Sequence, residues 1–483
     1  MMNRNQELLN YIQTQLAENE ERLLVKLDNQ SIAGNPLSPR ELYKILQDNI
    51  NNFLNNLQPF ERWIIMPGLR GVGKTTLMIQ IFLWLKQVKK IQNVIYISLD
   101  EIIALADLKE VLATYEQLLG EKFYQLKKPV FILIDEIQFD SSWAEVLKII
   151  YDWNENVYIL CTGSSSVNLQ MGADIHGRRA QICRVFPLNF REYQLIYHQI
   201  PPNHKLSRRI FDILYCSANA QEVYDGLIKI SGHVDQQWTV YKKNSLDHYF
   251  DIGTMPFAFY KESFTAYEAL KNMMQRILTE DIRTNLNPQL NTLHHIEQLI
   301  QILADSGDFV ETNKLTNLLQ ISRVQLLNIL DALVKAEFLT KIPACGTNIT
   351  VSRQPVKYTF MSPAMRVAQR SIKSTKAMRL ASQGLVLEDI AALHYHREFT
   401  TQGKGLLTHP YNKKGEMTDF ILKTTDNQQI AIEFGLGNKN TSQAIKTMKK
   451  FPCKYSLIFS KTDVKLDPKL QIINIPLDYF FLI

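Results

Sequence analysis

The chain has 483 residues, enough for about three domains at roughly 150 residues each. Hydrophobic residues make up 46% and charged residues 21%, as in globular proteins, and the net charge of +6 favours an anionic partner only weakly. The N-terminus lacks the apolar core of a signal peptide, and no run approaches the ~18 apolar residues of a membrane span. The five cysteines show no CxxC spacing, which indicates reduced thiols. These properties exclude a disulfide-rich secreted protein, and we expect a soluble, cytoplasmic protein with several domains.

Residues 1–58 show helical, amphipathic periodicity with a turn-rich break at 35–39. After them, short apolar strands alternate with helices. The predicted strands are RWIIMPG, NVIYISLD, PVFILIDE and NVYILCTGSS, and the helix after the first strand is TTLMIQIFLWLKQVKK. Because strands that are apolar throughout are buried on both faces, this order predicts an α/β fold with a parallel sheet covered by helices.

The strongest local motif lies between the first strand and that helix. It has the pattern G-x-x-x-x-G-K-[ST], whose glycines let backbone N–H groups surround phosphate oxygens at a helix N-terminus. Lys74 is expected to reach the β- and γ-phosphates of a nucleotide, and Thr75 is expected to bind Mg²⁺. The predicted nucleotide-binding residues of this motif are Gly68, Arg70, Gly71, Val72, Gly73, Lys74, Thr75 and Thr76.

Hydrolysis of a nucleotide also requires a carboxylate that holds the metal and a base that orients water. Asp135 and Glu136 follow the apolar strand 130–134, and we expect Asp135 to bind the metal and Glu136 to act as the catalytic base. The next strand ends in TGSS. A polar residue at this tip, taken as Ser164, is a candidate to contact the γ-phosphate or the attacking water, whereas the alternative is that Ser164 or Ser165 caps the following helix.

Several segments occur in the order found in a prokaryotic family of AAA-like ATPases. These segments are GLRGVGKTTL, LIDEIQFDSSW, CTGSSS, GRRA, FPLNFREY, GTMPFA and ILTEDIR. From about residue 60 to its C-terminus the chain resembles this family, which is related to the archaeal ATPases and the signal-transduction (STAND) NTPases. The resemblance implies a P-loop ATPase core, a helical lid, a winged helix and a C-terminal restriction-endonuclease-like domain of the PD-(D/E)xK type.

The resemblance also implies further residues of the ATP site. Arg178, in the Gly-Arg element GRRA, is expected to contact the γ-phosphate in its own or a neighbouring subunit, with Arg179 as the alternative. Pro256 ends a loop, GTMP, that is similar to a Gly-x-x-Pro loop with which related ATPases pack the lid against the nucleotide. In this chain Thr254 stands where a second glycine is commoner.

Together these features predict five regions along the chain. They are an N-terminal helical segment (1–58), a P-loop ATPase core (59–200), a helical lid or connector (201–290), a winged helix (291–345) and a degenerate PD-(D/E)xK-like domain (346–483). Thr312 and Ser322 are the predicted N-caps of two helices in the winged helix. Such a unit either places a helix in a DNA groove or serves to pack domains against each other.

A basic segment follows the predicted winged helix. Between Lys341 and Arg379 the sequence contains no Asp or Glu. This asymmetry suits the neutralisation of nucleic-acid phosphates, whereas the alternative is a solvated helix face. The residues expected to contact DNA or RNA are Arg366, Arg370, Lys373, Lys376 and Arg379.

The resemblance assigns a carboxylate constellation to the C-terminal region. It implies that Glu388, Asp419 and Glu433 correspond to the acidic residues of a PD-(D/E)xK nuclease, which bind a divalent metal. The lysine of that motif is replaced by Gly435, and Lys439 could substitute for it only if the chain bends after the strand. We therefore expect a degenerate nuclease site. His394 and His396 are two residues apart on a predicted helix, so they point to different faces and predict no metal site.

The sequence thus predicts an AAA-like ATPase that binds ATP and Mg²⁺ and acts as a nucleotide-driven switch, associated with DNA or with a defence or mobile-element role. The alternatives are an ATP-gated, metal-dependent nuclease and a nucleotide-binding scaffold that does not hydrolyse ATP. The expected partners are ATP, DNA or RNA, and a second copy of the chain or another protein, but no membrane.

Overall fold

The computed structural model describes residues 4–30, 37–163, 179–241, 245–282, 290–306, 311–346, 354–370, 376–411 and 417–483, with the side chains of 290–292 and 376–382 excepted. The chain divides into two compact units, Met1–Phe186 and Pro187–Ile483. The first unit contains the predicted N-terminal helices together with most of the predicted ATPase core. The second unit contains all the regions predicted after it.

The described strands of the first unit form an all-parallel sheet in the order β2-β3-β4-β1-β5. These strands are β1 (Trp63–Pro67), β2 (Val94–Ser98), β3 (Val130–Asp135), β4 (Val157–Gly163) and β5 (Gln181–Ile182). Strands β1 to β4 are buried along their whole length, which explains their uninterrupted apolar sequences. Because β4 pairs with both β1 and β3, it separates the strand before the glycine motif from the strand that ends in Asp135.

Helices cover this sheet, as its apolar strands require. They are α1 (Arg4–Asp28), α2 (Glu41–Leu54), α3 (Lys74–Leu83), α4 (Leu99–Ile102), α5 (Leu108–Leu119) and α6 (Trp143–Trp153). Asp107 and Glu110 form a capping box that starts α5, and Gly120 ends it in a left-handed conformation. Leu8 and Ile12 of α1 belong to the same buried core as strands β1 to β4. The α/β fold with a parallel sheet is therefore confirmed, whereas the two-residue strand β5 was not predicted. Helices α1 and α2 lie within the predicted segment 1–58.

The second unit begins with helices. They are α7 (Phe190–His198), α8 (His204–Cys216), α9 (Ala220–Val240), α10 (Leu246–Asp251), α11 (Ser263–Arg276), α12 (Leu290–Asp305), α13 (Thr312–Leu319) and α14 (Arg323–Lys335). An antiparallel hairpin of β6 (Leu339–Ile342) and β7 (Lys357–Phe360) follows α14. Ser322 caps α14 in a capping box with Gln325, as predicted. The predicted cap Thr312 is instead the first residue of α13, because Glu311 occupies the cap position.

The described strands of the C-terminal region form a mixed sheet in the order β12-β13-β11-β10-β9-β8. Helices α15 (Pro363–Arg370) and α16 (Lys376–Tyr395) precede it. Its strands and remaining helices are β8 (Gly405–Thr408), β9 (Phe420–Thr424), β10 (Gln429–Phe434), α17 (Ser442–Lys450), β11 (Cys453–Ser460), β12 (Lys465–Asp467), β13 (Ile472–Pro476) and α18 (Leu477–Phe480). Strands β8, β9 and β10 form an antiparallel meander, and β11 pairs in parallel with β10 after the crossover through α17. Among the helices that the structure describes, none is both long enough and apolar enough to cross a membrane.

Candidate functional site

The glycine motif forms a loop at the carboxyl end of β1. Gly71 and Gly73 have φ angles of +80° and +94°, which a residue with a Cβ rarely adopts. A Cβ added at Gly68 would lie 2.2 Å from the carbonyl oxygen of Val185. The backbone therefore requires glycine at all three positions. Gly71 and Gly73 adopt a left-handed conformation, and Gly68 packs too closely against Val185 to carry a side chain.

Lys74 begins α3 directly after this loop. Its side chain is 5% exposed, and its Nζ donates hydrogen bonds to the carbonyl oxygens of Gly68 at 2.8 Å and Leu69 at 3.0 Å. The loop thus curves around the ammonium group, whose charge adds to the positive N-terminal end of α3. This arrangement attracts anionic groups such as phosphates.

Asp135 and Thr75 are brought together across the intervening strand β4. The Thr75 side chain lies close enough to Asp135 to lower the pKa of its carboxyl group. Thr162 of β4 donates a hydrogen bond to Oδ1 of Asp135, and the hydroxyl of Tyr96 donates to Oδ2 at 3.1 Å. Burial raises the pKa of the Asp135 carboxyl above its ordinary value, whereas the hydrogen bond from Thr162 and the nearby Thr75 side chain lower it. Hydroxyl and carboxylate oxygens are the hard donors that Mg²⁺ prefers, so these residues fit the predicted metal.

Glu136 directly follows Asp135 and has an unusual backbone. Its φ of +53° and ψ of +48° lie in the left-handed region, which is rare for a residue with a long side chain. The half-buried carboxylate accepts a hydrogen bond from the Gln138 amide, and the Glu136 N–H donates to the Thr162 hydroxyl at 3.3 Å. The backbone conformation turns Glu136 away from the direction of the strand, beside the Asp135 and Thr162 pair.

The sequence did not single out Thr162 or Tyr96 as functional residues. Thr162 is fully buried and links Asp135 to Glu136, because its hydroxyl contacts both residues. A polar side chain at the end of an otherwise apolar strand was the available signal, but the prediction placed the role on Ser164, which lies outside the described residues. Tyr96 gave no such signal, since a tyrosine in an apolar strand is ordinary.

The other predicted ATP-site residues have different outcomes. Arg178 also lies outside the described residues. Arg179 forms an ion pair with Asp152 at 2.7 Å. It lies two residues before Gln181, which pairs in parallel with Ile64, so Arg179 is near the amino end of β1. It is therefore at the sheet edge opposite to Lys74. Pro256 begins a short 3₁₀ turn in the second unit.

A second cluster of charged side chains lies within the second unit. Glu433 on β10 is 1% exposed, and its Oε2 accepts a hydrogen bond from the N–H of Asp419 at 3.2 Å. Asp419 in turn accepts one from the N–H of Phe434 at 2.7 Å. Burial and the neighbouring carboxylates of Glu388 and Glu433 raise the pKa of Asp419 well above its ordinary value. The antiparallel pairing of β9 and β10 thus brings the two predicted acids together.

Lys439 reaches this cluster by folding back over Gly435. Its Nζ lies 2.6 Å from Oε1 of Glu433. A Cβ added at Gly435 would lie 2.4 Å from Cε and 2.6 Å from Cγ of Lys439. The glycine that replaces the lysine of the nuclease motif therefore provides the space through which a lysine four residues later reaches the carboxylate. The bend that the sequence analysis required is present.

A second lysine was missed by the sequence analysis as part of this cluster. Lys357 on β7 is 8% exposed, and its Nζ lies 2.6 Å from Oε2 of Glu388. Burial by itself lowers the pKa of Lys357, but Glu388 and Asp419 raise it more, so its net pKa is above the ordinary value. Lys357 was assigned only to the basic segment, and no sequence spacing connects β7 with Asp419. Within the described residues, no group of three or more His, Cys, Asp or Glu side chains is placed to hold a metal ion.

The prediction that Arg366 contacts nucleic acid is wrong. Arg366 is 4% exposed, and its guanidinium binds both oxygens of Asp389, with Nε–Oδ2 at 2.5 Å and Nη2–Oδ1 at 2.9 Å. Its Nη1 donates to the carbonyl oxygens of Leu303 and Ala304 at the end of α12. Arg370 also binds the Ala304 carbonyl and lies 3.7 Å from Asp305. Lys373 lies outside the described residues, and Lys376 and Arg379 are on α16.

Comparison with known proteins agrees with the geometry of the first unit. Residues 60–194 match a family model described as an AAA domain, so this part of the chain has the AAA-like P-loop ATPase fold. The chain is 30% identical over 444 residues to the uncharacterized protein MJ1637 of Methanocaldococcus jannaschii, covering 91% of this chain and 88% of that protein. The chain therefore belongs to the same protein family as MJ1637.

Other similarities are weaker. An uncharacterized protein of Haemophilus influenzae is 25% identical over 133 residues, which cover 27% of this chain and 32% of that protein. Among solved structures, the Walker-type ATPase PABY2304 of Pyrococcus abyssi has a TM-score of 0.41 and 14% identity, covering 70% of this chain and 98% of that chain. The Aeropyrum pernix ORC1 protein in complex with DNA has a TM-score of 0.30 and 13% identity, covering 70% and 93%.

Proposed function

We propose that this protein is an ATPase that binds ATP with Mg²⁺ and hydrolyses it, using Lys74, Thr75, Asp135 and Glu136. One observation carries the proposal: the buried Asp135 carboxyl group, held by Thr162 and Tyr96, lies beside Thr75 and the loop that surrounds Lys74. Phosphate-binding N–H groups, a lysine, a hydroxyl and a carboxylate are the groups that a nucleotide with its metal requires.

Glu136 is the proposed base that orients the attacking water. It follows Asp135 directly, and its left-handed backbone and the Gln138 contact support a fixed position of the carboxylate next to the metal ligands. Arg178 remains the proposed arginine that stabilises charge on the transferred phosphoryl group, from its own or another subunit. The switching of the C-terminal regions by nucleotide, and a DNA, defence or mobile-element setting, are part of the same proposal.

The test compares two variants with matched controls. Glu136→Gln should retain ATP binding and lower the hydrolysis rate by about 10²- to 10⁴-fold, which is the contribution of a general base. Lys74→Ala should abolish ATP binding measured with a fluorescent ATP analogue. Glu145→Gln and Lys109→Ala make the same chemical changes at exposed positions of the same unit and should behave as wild type.

Each result decides between the alternatives. Normal hydrolysis by Glu136→Gln contradicts its role as base. Tight binding of ATP by the wild type, with no hydrolysis in the presence of Mg²⁺ and of DNA or RNA, would favour the non-hydrolysing scaffold.

A metal-dependent nuclease is the second candidate, and the position of Lys439 favours it. The meander β8–β9–β10, followed by the crossover to β11, supports the PD-(D/E)xK-like fold for the C-terminal region. Lys439 lies on Glu433 next to Asp419, which supplies the three residue types of that motif. Glu388 and Lys357 adjoin them. A divalent metal ion would have to displace lysine contacts, because the described carboxylates are not arranged as a metal site.

This candidate is tested with DNA and RNA, single- and double-stranded, in Mg²⁺ or Mn²⁺ with and without ATP. Cleavage by the wild type should be lost in Asp419→Asn and in Lys439→Met. Asp463→Asn and Lys465→Met change exposed residues of the same unit and should retain it. If the wild type cleaves none of these substrates while it hydrolyses ATP, the nuclease candidate is rejected and the ATPase stands.

A further inference from the structure

Arg40 contacts the phosphate-binding loop from outside the matched AAA domain, which begins at residue 60. Its side chain is 8% exposed, and its Nη1 donates a hydrogen bond to the carbonyl oxygen of Val72 at 2.8 Å. Val72 is fully buried and lies between Gly71 and Gly73, both of which have a positive φ. The contact is therefore made at the most constrained part of the loop.

The geometry of a peptide bond gives this contact a consequence for ligand binding. In a trans peptide the C=O and the following N–H point in opposite directions. When the Val72 carbonyl is held by Arg40, the N–H of Gly73 therefore points away from Arg40. In a loop of this type the N–H groups converge on the phosphate while the carbonyls face outward and need partners of their own.

The position of Arg40 is fixed by helix α2, which packs against the parallel sheet. Arg40 immediately precedes α2, whose Phe53 ring packs against Phe131 on β3 at 5.7 Å and Tyr158 on β4 at 5.3 Å between ring centroids. Two further contacts join the same N-terminal segment to α3. The Thr76 hydroxyl donates to the Gln30 side chain at 2.9 Å, and the Gln80 amide donates to the Leu37 carbonyl at 3.3 Å.

We propose that Arg40 is a positioning residue of the ATP site, which orients the Val72–Gly73 peptide toward the phosphates and adds a buried positive charge behind the loop. This inference rests on the proposed function, because it presumes that the loop binds ATP. Through Arg40 the N-terminal region takes part in nucleotide binding. Thr76, which is also a predicted nucleotide-binding residue, links α3 to Gln30.

The test measures ATP affinity in the full-length chain with a fluorescent ATP analogue, and KM and kcat where hydrolysis occurs. Arg40→Met should weaken ATP binding by about tenfold to a hundredfold, the range for one hydrogen bond from a charged donor, and should raise KM more than it lowers kcat. Arg40→Lys keeps the charge and a donor and should recover most of the affinity. Arg22→Met is the matched control, because Arg22 pairs with the exposed Glu101 in the same unit.

Three outcomes would overturn the inference. They are an Arg40→Met chain with the ATP affinity of wild type, an Arg40→Lys chain with the weakened affinity of Arg40→Met, and an Arg22→Met chain that loses as much affinity as Arg40→Met. A wild-type chain that binds ATP no better than Lys74→Ala would instead reject the proposed function, and the role of Arg40 with it. The two failures are therefore distinguishable in one set of measurements.

Discussion

Gly435 and Lys439 form a pair in which each residue depends on the other. The lysine side chain occupies the volume that any Cβ at position 435 would need. Its ammonium group is the cation that balances the buried Glu433 carboxylate. Gly435 is thus a condition for the Lys439 contact, although it stands where the resemblance to the PD-(D/E)xK motif places a lysine.

Gly435→Ala should destabilise the protein by about 1–3 kcal/mol, because the added methyl group displaces Lys439 and leaves the Glu433 carboxylate without its cation. In a Lys439→Ala background the same substitution should cost much less, since the clash and the ion pair are already absent. Urea unfolding of wild type, Gly435→Ala, Lys439→Ala and the double variant measures the coupling free energy between the two positions. Equal costs in both backgrounds would show that the two positions act independently.

At the scale of elements, a buried ion pair joins α12, β7, α15 and α16. Asp389 on α16 is fully buried and binds Arg366 of α15 as well as the N–H of Phe360 on β7. Arg366 also binds the last carbonyls of α12. Removing the guanidinium would leave a buried carboxylate uncompensated, which costs several kcal/mol.

Arg366→Met should therefore destabilise these elements by about 3–5 kcal/mol. Arg370→Met makes the same change one turn later, at a more exposed side chain, and should cost about 1 kcal/mol or less. Hydrogen–deuterium exchange of peptides from β7 and α16 reports both effects. An Arg366→Met chain that is as stable as Arg370→Met would contradict this role of the ion pair.

The elements also show what the sequence could predict. Strands β1 to β4 and helix α3 follow from apolar runs and the glycine motif, because buried parallel strands and phosphate loops have strong local patterns. The basic segment led to the wrong prediction for Arg366 because the acidic partners of the segment follow it on α16. Lys357 pairs with Glu388 and Arg366 pairs with Asp389, nine and ten residues after Arg379. Charge along a chain does not reveal pairing in space. Lys357 was missed as a site residue for the same reason.

Over the molecule as a whole, buried ionisable groups of the second unit should oppose one another as pH falls. Burial lowers the pKa of His394 to about 4 and that of His409 to about 3, where the charge of Lys357 contributes. Burial raises the pKa of Asp389 and Asp419 above their ordinary values. Between the folded and unfolded pKa values the histidines bind fewer protons in the folded state, so acidification destabilises it. The two aspartates bind more protons in the folded state than in the unfolded state, so acidification stabilises the folded state through them.

Replacing His394 isolates the contribution of this one histidine to the pH dependence of the free energy of unfolding. The unfolded histidine takes up a proton near pH 6.5 and the folded one only near pH 4, so wild-type stability should lose about 3 kcal/mol from this group as pH falls through that window. His394→Leu has no such proton to bind. The stability of the variant relative to wild type should therefore rise by about that amount from pH 7 to pH 4, in urea unfolding at each pH. A difference that stays constant across this range would show that His394 titrates alike in the folded and unfolded chain.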